Sequence, residues 1–444
     1  MIISVIVEGL LSAYQAKGCK MRARSTLVLL SIVMMILLTG CGDPPEIRNM
    51  KTLMRTHKWE KATSVGQQYL EANPQSKIKD KVRKELAKCY LEYGKALIGE
   101  RNFADAVVAL EKVTTDYKEF PQVEEAMKEL PRCRADVGRK ALVGGNFIEA
   151  ANQYSKLVEQ HPTAGQVEEA RSGLLSVGVI TFNVGPDIWM ANANGTRPKK
   201  IIENALDGYL SPEGGRIAFI RPKTPDADHG ALILFDLATS QETVLLDVDN
   251  AKRPVISTAG DEVAVMTPDG FKIVGIDGTA KETGKKASNY NLLAGWLTDP
   301  AQLLVFHKKD KGGSPLLLLE RTAGKTEAVA ETEKGLRDAY LAPDGKAAAL
   351  SHEDGLSMLR LSTKDVIDLV STPNIHLEVH SVAFSTDSRT IMFVGKGKTD
   401  SDYRLYFYNK LDLKPLEMTV DGGAAPVPDP NRTISWSKGW TFAS

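Results

Sequence analysis

The sequence predicts a multidomain chain in which an all-α helical-hairpin array is followed by an all-β six-bladed propeller, behind an N-terminal export segment. Three observations predict it. A segment recurs three times in the first third of the chain, at a constant step of 44 residues. A different hairpin recurs six times in the remainder, at steps of 46, 40, 45, 43 and 43. One strongly apolar run, near the N-terminus, ends in Leu37-Leu38-Thr39-Gly40-Cys41-Gly42-Asp43.

The 444 residues suit two or three domains. With 43% hydrophobic and 25% charged residues, the chain carries enough apolar material for folded cores. Lys plus Arg and Asp plus Glu both number 56, so no cationic surplus points to nucleic acid. Four cysteines, Cys19, Cys41, Cys89 and Cys133, exclude a disulfide-built scaffold.

The N-terminal segment reads as an address. From Met21, the expected true start, Arg22 and Arg24 precede an apolar core at 27–38, and Thr39 and Gly40 precede Cys41. This is the three-part order of a secretory signal. Its core is shorter than the roughly 20 residues of a membrane span. Leu38-Thr39-Gly40-Cys41 resembles the lipobox of bacterial lipoproteins. The resemblance implies cleavage between Gly40 and Cys41 and a lipid on the Cys41 thiol. Removing residues 1–40 leaves 52 basic and 55 acidic residues. Gly42, rather than an aspartate, directly follows the cysteine, which favours the outer over the inner membrane.

The helical segments are 57–74, 100–117 and 144–162, within a region from 45 to 175. Trp59, Phe103 and Phe147 share one position, and Ala62, Ala106 and Ala150 another. Phe103, Ala106, Val107, Leu110 and Val113 form one helical stripe. The alanines, with Gly94 and Gly138, are small where partner helices cross. Pro74 and Pro162 end their helices, and Pro131 is expected to interrupt another. The pattern resembles tetratricopeptide repeats, although the period is 44 rather than about 34 residues. That resemblance implies a surface for peptides or partner proteins. Cys89 and Cys133 occupy equivalent positions roughly 10 Å or more apart. A disulfide needs Cα atoms within about 7 Å, so both thiols should be free and packed.

From 176 to 444 the pattern alternates. The hairpin turns begin at Ser211, Ser257, Leu297, Ala342, Ser385 and Pro428. A second motif, an apolar strand ending in a tight turn, also occurs six times, first at 188–195 and last at 404–412. Asn194-Gly195, Asp277-Gly278 and Asp344-Gly345 supply residues that tolerate positive φ. Four strands per repeat is the arithmetic of a propeller blade. The motif order gives six blades only if 177–203 and 424–440 share one, which removes free edges. Both 177–182 and 433–437 read as the second strand of that shared blade. Ser211-Pro212-Glu213-Gly214, Ala342-Pro343-Asp344-Gly345 and the stretch from Asp187 to Gly195 resemble TolB-type propeller repeats. In that family the propeller is periplasmic and docks an outer-membrane lipoprotein.

No catalytic signature is present: the chain lacks G-x-S-x-G, C-x-x-C, H-E-x-x-H and a phosphate-binding loop. The chain is therefore expected not to be an enzyme, and no catalytic residue, metal ligand or cofactor is assigned. His376 and His380 lie on an extended stretch, where four residues span about 13 Å, too far for one metal. Asp226, Asp228 and His229 form a polar loop cluster.

The leading expectation is an interaction scaffold or adaptor. It is held to the membrane by lipid on Cys41, faces the periplasm, and binds envelope proteins but no nucleic acid. The alternatives are a ligand sensor or hydrolase-like enzyme using the propeller channel, and a passive spacer.

Overall fold

The structure is a computed structural model. It describes residues 43–439, other than 225, 286–290, 310–311, 322–324, 354, 372–376, 398, 410–411, 417 and 419–423. Gly40, Cys41, the rest of the export segment, Cys19 and His376 lie outside the described residues. The chain divides into two compact units, one up to Lys128 and one from Glu129.

Seven helices come first among the described residues: α1 (Pro45–Arg55), α2 (Trp59–Ala72), α3 (Lys79–Gly99), α4 (Phe103–Asp116), α5 (Gln122–Val143), α6 (Phe147–Gln160) and α7 (Val167–Val177). The three repeated aromatics each open a helix. Two residues before them, His57, Arg101 and Gly145 have φ of 56°, 60° and 74°. This left-handed residue reverses the chain between helices. Asn102 and Asn146 then cap α4 and α6 by accepting the backbone N–H of Asp105 and Glu149. Lys58 stands in that place before α2, which no side chain caps.

In the first unit the small residues mark the helix crossings, as the sequence predicts. Ala62 and Ala106 are fully buried. A Cβ at Gly94 would come within 2.7 Å of Leu110, and one at Gly66 within 2.7 Å of Leu86. Pro131 does not interrupt its helix: α5 runs unbroken from Gln122 to Val143. Proline forfeits a single backbone donor, and a helix of 22 residues survives that loss. Cys89 and Cys133 are free and buried, and burial pushes their thiols up to about 12 and about 11. Both are therefore thiols, not thiolates, at neutral pH.

The second unit holds α6, α7 and all the strands. The Tyr154 ring of α6 fills a slot between two glycines: a Cβ at Gly138 would lie 2.7 Å from one ring edge, and one at Gly173 would lie 2.2 Å from the other. Gly173→Ala should therefore destabilise this unit by about 1–3 kcal/mol, because overpacking outweighs the roughly 1 kcal/mol that alanine adds to a helix. Tyr154→Leu in the same chain should recover part of the loss. Urea titration of the single and double variants measures this, and a stabilised single variant would contradict the slot.

The strands form five sheets. The first has the order β23-β1-β2-β3, from β23 (Ser435–Ser437), β1 (Val179–Val184), β2 (Asp187–Asn192) and β3 (Lys199–Ile202). A seven-stranded sheet runs from β4 (Leu206–Leu210) to β10 (Ala280–Lys285) and is two four-stranded blades sharing the long β7 (Gln241–Ile256). Three four-stranded sheets follow, beginning at β11 (Leu292–Trp296), β15 (Leu336–Leu341) and β19 (Leu377–Phe384). That makes six antiparallel blades. Their inner strands neighbour one another in the closed circuit β4, β7, β11, β15, β19, β23.

The turns after the inner strands repeat one geometry. Gly214, Gly260, Gly345 and Ser388 all have φ between 62° and 74°. Each donates its N–H to the residue three before it, Ser211, Ser257, Ala342 and Ser385 respectively. Gly195 and Gly278 have φ of 83° and 81°, as their turns require. The sixth hairpin differs from its sequence reading. Residues 433–437 do not form a second strand after a turn at Pro428. They lead into the inner strand, pairing Ser435 with Thr181 and Ser437 with Val179. Ser437, the last residue of that strand, aligns with Ser211 of the first copy. Proline and aspartate around 428–430 imitate the repeat's turn composition in what is the approach to the strand.

The last helical hairpin shares a core with the blades: Phe147, Tyr154 and Leu174 belong to one buried cluster with Ile180, Phe393 and Trp436. The carbonyls that end α7, which have no partner within the helix, are taken up by the propeller. Leu175 accepts from Gly439 N, Ser176 from Thr386 Oγ1 and Val177 from Trp436 Nε1.

Candidate functional site

A cavity of about 760 Å³ opens at one end of the circuit of inner strands. The backbone explains what lines it. Five of the six inner strands break register at the same level: between Leu206 and Tyr209, Lys252 and Val255, Leu293 and Gly295, Leu336 and Asp338, and Val379 and Val382. A bulge re-aims side chains that would otherwise alternate between sheet faces. Here the bulges place Asp207, Arg253, Arg337, Asp338, His380 and Ser381 on the cavity wall.

Asp207 and Asp338 are each followed two residues later by a tyrosine. Tyr209 and Tyr340, from opposite sides of the circuit, stack with centroids 5.6 Å apart and planes 12° apart. The same rings line a second cavity of about 280 Å³ at the other end. The stacked pair therefore stands between the two cavities. Burial raises both phenols, so both are un-ionised at neutral pH.

Two carboxylates of the larger cavity are built into the wall. Asp338 is in contact with the Arg253 guanidinium, and it accepts the backbone N–H of Ala339 (2.8 Å) and of Val382 (2.9 Å). Arg253 also donates to the Ala339 carbonyl at 2.9 Å and lies over the Phe306 ring. Asp207 accepts the Thr433 N–H at 3.0 Å and lies 4.0 Å from Arg432, which ties β4 to the closing segment. Asp228, at the rim, binds Lys252 at 2.7 Å and His229 at 2.6 Å, and the hydrogen bonds from these side chains, Lys252 above all, hold its carboxyl down to about 2.

His380 is packed, with its side chain 13% exposed. Its Nε2 accepts from Arg337 at 3.3 Å, and its ring meets Tyr403 edge-on. Burial and the positive Arg337 hold its pKa down to about 4 from the ordinary 6.5. Below pH 6.5 the unfolded chain therefore takes up a proton that the fold refuses until about pH 4. Across that window His380 should lower stability as pH falls, by up to about 1.4 kcal/mol per pH unit. His380→Gln should flatten this slope in urea titrations; an unchanged slope would remove His380 as its source.

The site holds no nucleophile set up for catalysis among the described residues. The nearest arrangement lies elsewhere: His352 Nε2 is 2.6 Å from Ser357 Oγ, which also donates to Asp368 at 2.7 Å. The serine, not the histidine, stands between the other two, which is not the order of a catalytic triad. His352 and Ser357 are each only 2% exposed, out of reach of a substrate. Among the described residues no group of three His, Cys, Asp or Glu side chains is arranged to hold a metal. Asp226 stays exposed, while its neighbour Asp228 reaches the cavity.

Sequence reading singled out Asp228 and His380 but missed the wall. A signal was available. Asp207, Arg253, Asp338 and Ser381 each stand four residues before a turn start, and Thr433 stands four before Ser437. Leu293 is the apolar exception. A polar residue recurring inside an otherwise apolar inner strand marks the channel.

Fold and site together define a closed β-propeller with a polar channel cavity, carrying helices at its N-terminal side. No protein-family model matches the chain, and no curated protein matches it. Among solved structures the chain is similar to TolB from Acinetobacter baumannii, at 14% identity and TM-score 0.47, over 63% of this chain and 72% of that one. It is similar to an oligogalacturonate lyase from Vibrio parahaemolyticus, at 14% identity and TM-score 0.37, over 54% of this chain and 73% of that one. It is also similar to the β-propeller domain of the trilobed protease from Pyrococcus furiosus, at 17% identity and TM-score 0.37, over 51% and 73%.

Proposed function

We propose that this chain is a non-catalytic, lipid-anchored adaptor of the bacterial cell envelope, which binds its partners through a tetratricopeptide-like array and through the propeller channel. The observation that carries the reading is the channel cavity. It is polar, of ligand-binding size, and walled by side chains from several blades rather than by one loop. The array reading is supported by the 44-residue period and by the glycine crossings at Gly66 and Gly94. The anchor reading rests on Leu38-Thr39-Gly40-Cys41. Among the described residues no helix is long and apolar enough to cross a membrane. Gly42 after the cysteine supports outer-membrane placement, facing the periplasm.

Three measurements test this. Mass spectrometry of the mature N-terminus should find diacylglycerol on Cys41, and Cys41→Ser should release the chain from membranes. A photo-crosslinker at Asn431, on the cavity wall, should capture stable envelope proteins in living cells. An unmodified Cys41 removes the anchor, and a preparation free of crosslinked partners removes the adaptor. The ligand-sensor reading is favoured by one further observation, two cations in the cavity, Lys308 and Arg337, that form no ion pair among the described residues.

A further inference from the structure

We propose that the channel cavity binds a carboxylate group, held by Arg337 and Lys308. The inference rests on the reading of the cavity as a binding site and names what it takes. Five cations line the cavity, Lys252, Arg253, Lys308, Arg337 and Arg432, against three carboxylates, Asp207, Asp228 and Asp338. Three of the cations are committed: Arg253 to Asp338, Lys252 to Asp228, and Arg432 between Asp207 and Asp429. Arg337 and Lys308 remain. Among the described residues neither has a carboxylate within ion-pair distance.

The backbone holds these two cations side by side. Lys308 bridges Leu336, the residue before Arg337, and Lys309 N donates to Leu336 O at 2.7 Å. Two like charges fixed on adjacent backbones repel one another, and an anion between them turns that repulsion into attraction. Arg337 is also oriented. One of its N–H groups is spent on His380 Nε2, a partner that is neutral at pH 7; Glu378 lies 3.7 Å beyond, on that same nitrogen, and makes no ion pair with Arg337 among the described residues. The remaining donors of the planar fork suit the two oxygens of a carboxylate. Asn291 adds a neutral donor: its Oδ1 accepts Lys308 N at 3.0 Å, which leaves its NH₂ for the ligand.

The wall also limits the anion's charge. Asp207, Asp228 and Asp338 share the cavity, and the surplus is only two positive charges, so a polyphosphate does not fit, whereas a carboxylate does. The carboxylate could belong to a small organic acid or to a polypeptide's C-terminus.

The purified full-length protein should be titrated calorimetrically with glutarate, with a short peptide bearing a free C-terminal carboxylate, with the same peptide amidated, and with inorganic phosphate. At least one carboxylate probe should bind, more tightly than phosphate. Arg337→Gln and Lys308→Gln should each weaken it about tenfold or more, with unchanged melting temperature. Binding of glutarate alone assigns the site to small acids. Binding of the free-acid peptide but not its amide assigns it to a chain terminus. The proposal is overturned if the variants bind like wild type, if phosphate outcompetes glutarate, or if no carboxylate probe binds at about 10 mM. Crosslinked partners that persist unchanged in both variants, with no probe binding, would overturn this inference while leaving the adaptor standing. Probe binding without any crosslinked partner would do the reverse.

Discussion

Ending the chain at Arg432 should cost the second unit most of its stability, because the propeller is closed by its last strand. The inner strand of the first blade is β23, contributed from the far end of the chain to β1. Without it, β1 becomes a bare inner edge and β4 and β19 lose their shared neighbour. The interactions lost with it are specific. Thr433 N–H leaves Asp207, Ser435 Oγ leaves Thr181 Oγ1 (2.6 Å) and Leu210 N (3.0 Å), and Ser437 Oγ leaves the carbonyls of Ser211 and Pro212. Trp436, only 4% exposed, leaves Phe147 (5.3 Å) and Phe407 (5.1 Å) and vacates the carbonyl that ends α7. Trp436→Ala alone should cost about 3–5 kcal/mol, a large part of a typical domain's 5–15 kcal/mol. Urea unfolding and limited proteolysis should show early loss of the fragment from Glu129 onward. Trp59→Ala, in the first unit and only half-buried, serves as the control. A truncated chain that unfolds at the wild-type midpoint would mean that the ring is not held by its closure.

How far the sequence disclosed this architecture depends on which interactions are local. The helices were legible because their signals are local: an aromatic start, a small residue three later and glycines at the crossings. The blades were legible through their turns, where Gly214, Gly260 and Gly345 need positive φ. The closing strand was harder. Its partner β1 is more than 250 residues away, and the local pattern around Pro428 and Asp429 imitates a turn. The channel was harder still. A bulge is a property of paired strands, so no single stretch reveals that Arg253 will face Asp338, or that Lys308 will lie beside Arg337. Only the alignment of copies on their turns exposes the recurrent polar position.

Replacing Arg253 with leucine should be the most damaging single change in the channel, apart from the closing strand. Arg253 and Asp338 are 10% and 3% exposed, too dry for water to screen either charge. Forming such a pair contributes little net stability, since desolvation offsets most of the attraction. Removing one partner is different. Arg253→Leu leaves the Asp338 carboxylate with two backbone N–H donors and no counter-charge, and breaking buried pairs in this way costs about 3–5 kcal/mol. The Ala339 carbonyl loses its donor as well. The backbone at 253, with φ of 45°, is no harder for leucine than for arginine, so the effect reports the charge rather than the bulge. The double variant Arg253→Leu with Asp338→Asn should recover a substantial part of the loss, because the amide carries no charge and still accepts from Val382 N. Urea midpoints of the two single variants, the double variant and wild type complete the cycle. If Arg253→Leu falls within about 1 kcal/mol of wild type, water reaches Asp338 and the wall is not the dry, pre-formed surface described above.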